Sequence, residues 1–319
     1  MRASLVLLPA IAYGLLTLIF YRRAGVRDIP EALVKAHLVL FAFIAVSTEL
    51  LSAIHAMAFP ILLTAWLLFL LVCVVAAALL LQRTSQGFAF PVWRAVTPLT
   101  ATLVGAIAFI LATTLATALL YPPNTWDSMT YHMSRVVHWI SHSTISFYPT
   151  AIPRQNYQMP LAEFAIMHIQ LLTGGDWYAN LVQWVSFLVL VCLGPLIAVE
   201  LGLRHRQQLI AAMVMATLPM AILQASSTQN DLVVSSFVMS FGLFMLRMRQ
   251  HLSAENVLLA AMALGLALLT KATAWLYCAA IGTSLAVPLL LASRSDRARF
   301  LRVTAAVVCM IIVTLALNA

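Results

Sequence analysis

The chain has 319 residues, 63% of them hydrophobic and 9% charged, with a mean hydropathy of +0.98. That composition excludes a soluble globular domain, because repeated apolar runs long enough to cross a hydrocarbon core define a polytopic membrane protein. The formal charge of +8 is read as basic loops on one side of a membrane, not as a nucleic-acid partner.

The expected fold is all-α, a polytopic bundle of about ten membrane helices. In chain order the apolar runs are Leu5–Phe20, Ala36–Ile54, Phe59–Leu81, Leu99–Leu120, Asn180–Val199, Leu209–Leu223, Leu232–Met248, Val257–Leu269, Thr273–Leu291 and Val303–Leu317. The sixth and eighth are short for a span. The first run follows Met1-Arg2 without a small-residue cleavage site, so it is expected as a retained helix rather than a signal peptide. Three sections are expected: N-terminal membrane helices over 1–98, a core over 99–291, and the start of a C-terminal membrane region over 292–319. The chain stops at Leu317-Asn318-Ala319 as its last run ends, which suggests a piece of a longer protein. Cys73, Cys192, Cys278 and Cys309 each sit inside an apolar run and indicate neither a disulfide nor a metal cluster.

Charge orients the bundle. Placing residues 121–178 outside puts Arg22, Arg23, Arg27, Lys35, Arg83, Arg94, Arg204, Arg206, Arg247, Arg249, Arg294, Arg297, Arg299 and Arg302 on the opposite side. Of the 18 Lys and Arg residues, Arg2, Arg135, Arg154 and Lys271 remain outside. The positive-inside rule then directs the long loop to the periplasm or exterior of a bacterial cell membrane. The plain reading of each cytoplasmic Arg is orientation and lipid contact.

Residues 121–178 form the one long polar stretch, and His132, His138, His142 and His168 all lie in it. Pro122 and Pro123 stop the preceding run, and Asn124 or Thr125 is placed to cap a new helix. On a helical wheel Asp127, Tyr131, Arg135, His138 and His142 share one face, with Met129, Met133, Val136 and Ile140 opposite. This is the pattern of a helix lying flat on a membrane, apolar side down. Asp127 is then either a reactive carboxylate at the water–lipid boundary or a charge that merely caps the helix. A Pro-punctuated loop carrying Arg154, Gln155 and Asn156 follows. A second helix starts at Pro160, with Glu163 in its first turn as a helix-start charge or a ligand, and ends at Gly174-Gly175. The histidines lack the tight spacing of a zinc site; no cofactor is implied, and dependence on a divalent metal is left open.

Two further turns belong to the same side. Asn230-Asp231 stands at the lip of the seventh run, where the acid either caps the helix or faces a cavity. Lys271, in Leu269-Thr270-Lys271, either reaches to headgroups or holds an anion. Acids beside basic groups at a lipid surface suit a lipid phosphate, with a phosphate for Lys or Arg to hold and a hydroxyl for Asp to act on.

In the order and sidedness of five features, over roughly residues 99–291, the chain resembles the integral-membrane GT-C glycosyltransferases, in particular the protein mannosyltransferase and aminoarabinose-transferase-like branch. The features are the run Leu99–Leu120 leading into Trp126-Asp127 and Tyr131-His132, the two helices of the loop, the step Met159-Pro160-Leu161, the later Gln229-Asn230-Asp231, and Leu269-Thr270-Lys271. The chain departs from the pattern in having three runs before Leu99 and Met159 where many relatives have Pro. The resemblance implies sugar transfer from a polyprenyl-phosphate donor to a lipid, glycan or protein acceptor, with inversion at the anomeric carbon. It implies Asp127 as general base, Asp231 as a second acid that orients the acceptor or the loop, and Lys271, with Arg135 or Arg154, on the departing phosphate. Tyr131, His132, Asn156, Asn230 and Glu163 complete the expected substrate contacts. The rival class is a transporter or flippase of lipid-linked sugars, which needs polar groups near the midplane; a non-catalytic membrane scaffold is the third.

The charge distribution makes a first prediction. A topology reporter fused after Gln155 is expected to be active only outside the cytoplasm, and one fused after Arg297 only inside. The reverse pattern would remove the outer-face site altogether.

Overall fold

Long apolar runs interrupted by Pro and charge become helices, because a backbone in hydrocarbon must satisfy its own hydrogen bonds. The computed structural model of the protein describes residues 2–23, 29–83, 97–294 and 296–318. Arg27 and Arg94, used above for orientation, lie outside them. Every regular element among the described residues is helical: α1 (Leu7–Arg22), α2 (Ile29–Ala53), α3 (Phe59–Arg83), α4 (Pro98–Leu120), α5 (Met133–His142), α6 (Arg154–Tyr157), α7 (Leu161–Thr173), α8 (Leu181–Glu200), α9 (His205–Thr217), α10 (Pro219–Gln224), α11 (Asp231–Gln250), α12 (Ala254–Thr270), α13 (Ala274–Ser293) and α14 (Arg297–Leu317).

Among the described residues, 8 helices are long and apolar enough to cross a membrane: α1, α2, α3, α4, α8, α11, α13 and α14. By length and composition this is an integral membrane protein. The expected sixth run is two helices, α9 and α10. Pro219 is the cause: it forces Leu218 out of the helical region, to φ −58 and ψ 118. The expected eighth run is α12, with 17 residues; at 1.5 Å per residue it spans about 26 Å, less than a hydrocarbon core of about 30 Å.

The bundle has an inside and a rim. The most apolar windows of α2, α8 and α11 are each 61% buried, against 11% to 22% for α1, α3, α4, α13 and α14. The rim helices turn residues such as Leu68, Val72, Phe109 and Leu276 outward, as lipid-facing helices do. α11 packs on α8, α12 and α13; α12 reaches α14 and α2; α1 lies against α2 and α3. Two glycines permit close approach. A Cβ on Gly194 would lie 2.9 Å from the Ala211 carbonyl of α9, and one on Gly265 would lie 2.8 Å from Leu317 of α14. One apolar cluster runs from Leu8 to Met310, so the sections 1–98, 99–291 and 292–319 share a core and are not separately packed.

At one end of the bundle the structure corrects the reading of the basic residues. Arg247, at the end of α11, donates to Glu31 of α2 through Nη1 (2.8 Å) and Nη2 (3.3 Å), and to Glu200 of α8 through Nε (2.7 Å). Lys35 bridges Glu31 and Glu255 at 2.8 Å each. These two cations hold four helices together rather than contacting lipid. Carboxylates removed from water are strongly destabilising once their cation is gone. Arg247→Met is therefore expected to lower unfolding stability by about 3 kcal/mol, the low end for a broken buried pair. Denaturant unfolding in detergent micelles measures this, and a change of ~0.5 kcal/mol or less, typical of a surface site, would contradict the clamp.

Candidate functional site

The site starts with how Asp127 is presented. Thr125 Oγ1 accepts from the Ser128 N–H at 3.3 Å, so Thr125 caps this helix. Asp127 makes no side-chain cap bond. It enters a π-helical turn, Ser128–His132, that leads directly into α5. The widened turn shifts the repeat between Asp127 and α5, and within α5 itself Arg135 and Val136, placed on opposite faces of the wheel above, are both buried. Tyr131, His132, Met133, Arg135, Val136 and Trp139 are buried together, while Met129 and Val137 are exposed.

The buried face rests on α7, not on lipid. α7 is buried nearly all round, from Leu161 to Thr173, so the second loop helix is an interior element among α2, α3, α8 and α12. It is capped at its far end by Gly174 at φ +76. Pro160 stands at its start as expected, but Glu163 is neither a bare helix-start charge nor a surface ligand. Glu163 is fully buried, and its Oε1 meets His132 Nδ1 at 2.7 Å and Arg135 Nη1 at 3.3 Å. Arg135 also donates to the Gln158 carbonyl at 2.9 Å and lies 4.4 Å over the Trp139 ring. Burial alone would raise the Glu163 carboxyl; the charges of Arg135 and His132 and the His132 hydrogen bond outweigh it and hold it below the usual range. Glu163, His132 and Arg135, expected as substrate contacts, are thus internal partners of one another.

Asn156 and Asn230 also turn out to be ties. Asn156 Nδ2 donates to the Tyr148 carbonyl at 2.7 Å, and Asn230 Nδ2 to the Thr270 carbonyl at 3.3 Å. The second bond joins the residue before Asp231 to the residue before Lys271. Gln155 donates to the Thr130 carbonyl at 2.8 Å and accepts from Tyr148 and Thr150, which fastens α6 to the π-turn. Arg154 is thereby placed 6.0 Å over the Tyr131 ring.

Asp231 opens α11 without capping it. Gln183 of α8 does that, its Oε1 accepting from the Leu232 N–H at 3.0 Å and the Val233 N–H at 3.2 Å. The Asp231 carboxylate instead takes Lys271 Nζ at 2.6 Å, in a pair that is 41% and 28% exposed. Tyr131, in the π-turn, is buried. Its phenol is pushed up to about 12, first by burial, then by the negative charges of Asp127 and Glu163, with Arg154 opposing and Asp231 adding.

Beside the Asp231–Lys271 pair a cavity of about 640 Å³ opens among α8, α9, α10, α11 and α13. Met215, Pro219, Val238 and Met239 give it apolar walls, while Gln224, Thr273 and Tyr277 add polar groups. Its size is that of a small-molecule or lipid site. Of the residues expected from sequence, Asp231 and Lys271 pair at the cavity, and Arg154 lies over Tyr131 in the loop. Among the described residues no group of three His, Cys, Asp or Glu side chains is placed to hold a metal ion. His138 and His142 stack at 4.0 Å, His132 serves Glu163, and His168 bonds Thr48 and Trp66. No family model, curated protein or solved structure matches the chain.

The buried carboxylate makes a pH prediction. A group whose folded pKa is depressed stabilises the fold above its unfolded pKa, about 4.3 for Glu, and that stability is lost as pH falls through the folded value. Wild-type protein should show an extra loss of thermal stability on acidification below about pH 4. Glu163→Gln should be less stable at neutral pH and lack that acid-dependent loss. Parallel melting curves across pH would refute the assignment if the two proteins changed identically.

Proposed function

We propose that this chain is a membrane glycosyltransferase that moves a sugar from a polyprenyl-phosphate donor to a lipid, glycan or protein acceptor at the outer face of a bacterial cell membrane. The single observation that carries the reading is the cavity beside Asp231 and Lys271, a cation and a carboxylate next to apolar walls among membrane helices. That is the chemistry of a phosphate with a hydrocarbon tail. Residues 121–178 form the external loop in this reading, with Asp127 above the donor.

Asp127 takes the proton of the acceptor hydroxyl as its oxygen attacks the anomeric carbon. The bond from that carbon to the phosphate oxygen breaks, and the lipid phosphate leaves with the electron pair. Lys271, with Arg154, meets the negative charge where it grows. Asp231 holds Lys271 at the cavity mouth until the phosphate arrives. Support for Asp127 as base, and for Asp231 as more than a cap, is that Thr125 and Gln183 already cap their helices. Arg135, His132 and Glu163 are withdrawn from substrate contact and assigned to holding the loop.

Transport of a lipid-linked sugar has one observation in its favour. The break at Leu218-Pro219 borders the cavity, and discontinuous helices mark transporter sites. The experiment that separates the two uses Asp127→Asn. Its fold is expected to survive, since Thr125 rather than Asp127 caps the turn. Transfer of radiolabelled sugar from a polyprenyl-phosphate donor is expected to fall by at least ~10²-fold, the low end for losing a general base. Lys271→Met should raise KM for the donor as well as lower kcat, because the phosphate partner is lost from the ground state too. Wild-type turnover in Asp127→Asn would hand the cavity to transport.

A further inference from the structure

A second cavity, of about 290 Å³ and open on one side, lies on another part of the bundle, lined by α1, α2, α3, α7 and α8. It is separate from the Asp231–Lys271 site, and the inference below is independent of the glycosyl-transfer reading. Its walls carry four side chains with polar groups, and each is already engaged within the protein. Tyr13 Oη donates to the Leu33 carbonyl at 3.1 Å, and Trp184 Nε1 to the Leu111 carbonyl at 3.1 Å. Trp66 Nε1 donates to His168 Nδ1 at 3.2 Å, so the His168 proton resides on Nε2, which donates to Thr48 Oγ1 at 2.8 Å. The ring N–H groups and the phenol O–H are all spent, which leaves the Tyr13 oxygen as an acceptor among walls that are otherwise apolar and suit a hydrocarbon guest better than water. Its volume is roughly twice the 150 Å³ of an apolar cavity that holds benzene. Four of its five lining helices are long and apolar enough to span a membrane, which suits an opening toward hydrocarbon. Toward one end the wall includes Val6, one turn after Arg2, an exposed cation next to the Phe59 ring.

We propose that this cavity is a binding site for one acyl chain of a bilayer phospholipid, whose headgroup phosphate faces Arg2. The chain enters between the α1 and α8 faces and reaches Phe41 and Ile44 of α2. It fills a hollow that would otherwise forfeit packing contacts on every wall.

Photolabelling tests this. The protein is reconstituted in phosphatidylcholine vesicles containing a phospholipid with a diazirine on its acyl chain, irradiated, digested and mapped by mass spectrometry. Label is expected on Phe41, Ile44 and Val182, which are buried and out of reach of lipid passing along the outside. Ala10→Trp at the exposed rim, and separately Val185→Trp in the α8 wall, should abolish that label. Label on Leu67 and Leu68, exposed on α3, should persist in both variants. Label confined to exposed residues in the wild-type protein would overturn the proposal, whether or not either variant folds. Inner label unchanged by a folded variant would also overturn it. Loss of inner label on adding equimolar polyprenyl phosphate would assign the cavity to an isoprenoid chain and overturn it equally.

Discussion

The arrangement of the loop depends on one buried carboxylate. Glu163 lies inside the protein with no exposure, and a lone carboxylate there would be too costly to remain ionised. It remains ionised because His132 and Arg135 come to the same oxygen, Oε1. These two partners sit on the π-turn and on α5, so their pairing with Glu163 fixes that segment against α7. The consequence reaches the site. Tyr131 is the neighbour of His132, and Asp127 lies one turn earlier, so the Glu163 cluster sets where both stand. A loop tied to membrane helices only by apolar contacts could slide over them. One tied through a charge that must stay paired cannot slide without exposing that charge to a medium that does not solvate it.

Much of the bundle was legible in the sequence, since an uninterrupted apolar run admits few conformations in hydrocarbon. Where it was misread, the cause is local and identifiable. The Leu209–Leu223 run hid a break because hydropathy does not register Pro219, although the residue before a proline avoids the helical region. The helical wheel over 127–142 assumed 3.6 residues per turn and a lipid-facing apolar side, and could foresee neither the π-turn nor a buried face that takes in both Arg135 and Val136. Asp231 and Lys271 stood out as charges at the ends of apolar runs, and Asp127, Tyr131 and Arg154 as members of the one long polar stretch. Arg135 and His132 carry the same signal, yet serve Glu163. Composition cannot separate a cation facing a substrate from one facing a buried acid about 30 residues away. Gln183 was overlooked. A polar amide one turn inside the apolar run of α8 was the available signal, since a buried amide needs partners.

The charges of α11 and α12 follow one scheme. α11 begins with Asp231 and carries Arg247 in its last turn; α12 has Glu255 in its first turn and Lys271 just past its end. Each sign complements the helix dipole at its own terminus. Each also pairs across elements, Asp231 with Lys271 at one end and Arg247 and Lys35 with Glu31, Glu200 and Glu255 at the other. Because the two helices run antiparallel through a short connection, the same scheme brings opposite charges together at both ends.

The two ends are nevertheless different in kind, and exposure decides which one can work. Arg247, Glu31 and Glu200 have side chains 17%, 10% and 11% exposed, with the guanidinium engaged by two carboxylates. Removing any member leaves a charge with poor access to water, so that end is a permanent clamp. Asp231 and Lys271 are 41% and 28% exposed and joined by a single 2.6 Å contact. A pair so open to solvent contributes little to stability, typically about 1 kcal/mol or less. Lys271 can therefore leave Asp231 for another anion at small cost, and the cavity beside it is where such an anion would sit. The end of the bundle that contributes least to holding it together is the end free to exchange partners, and the proposed chemistry is placed there.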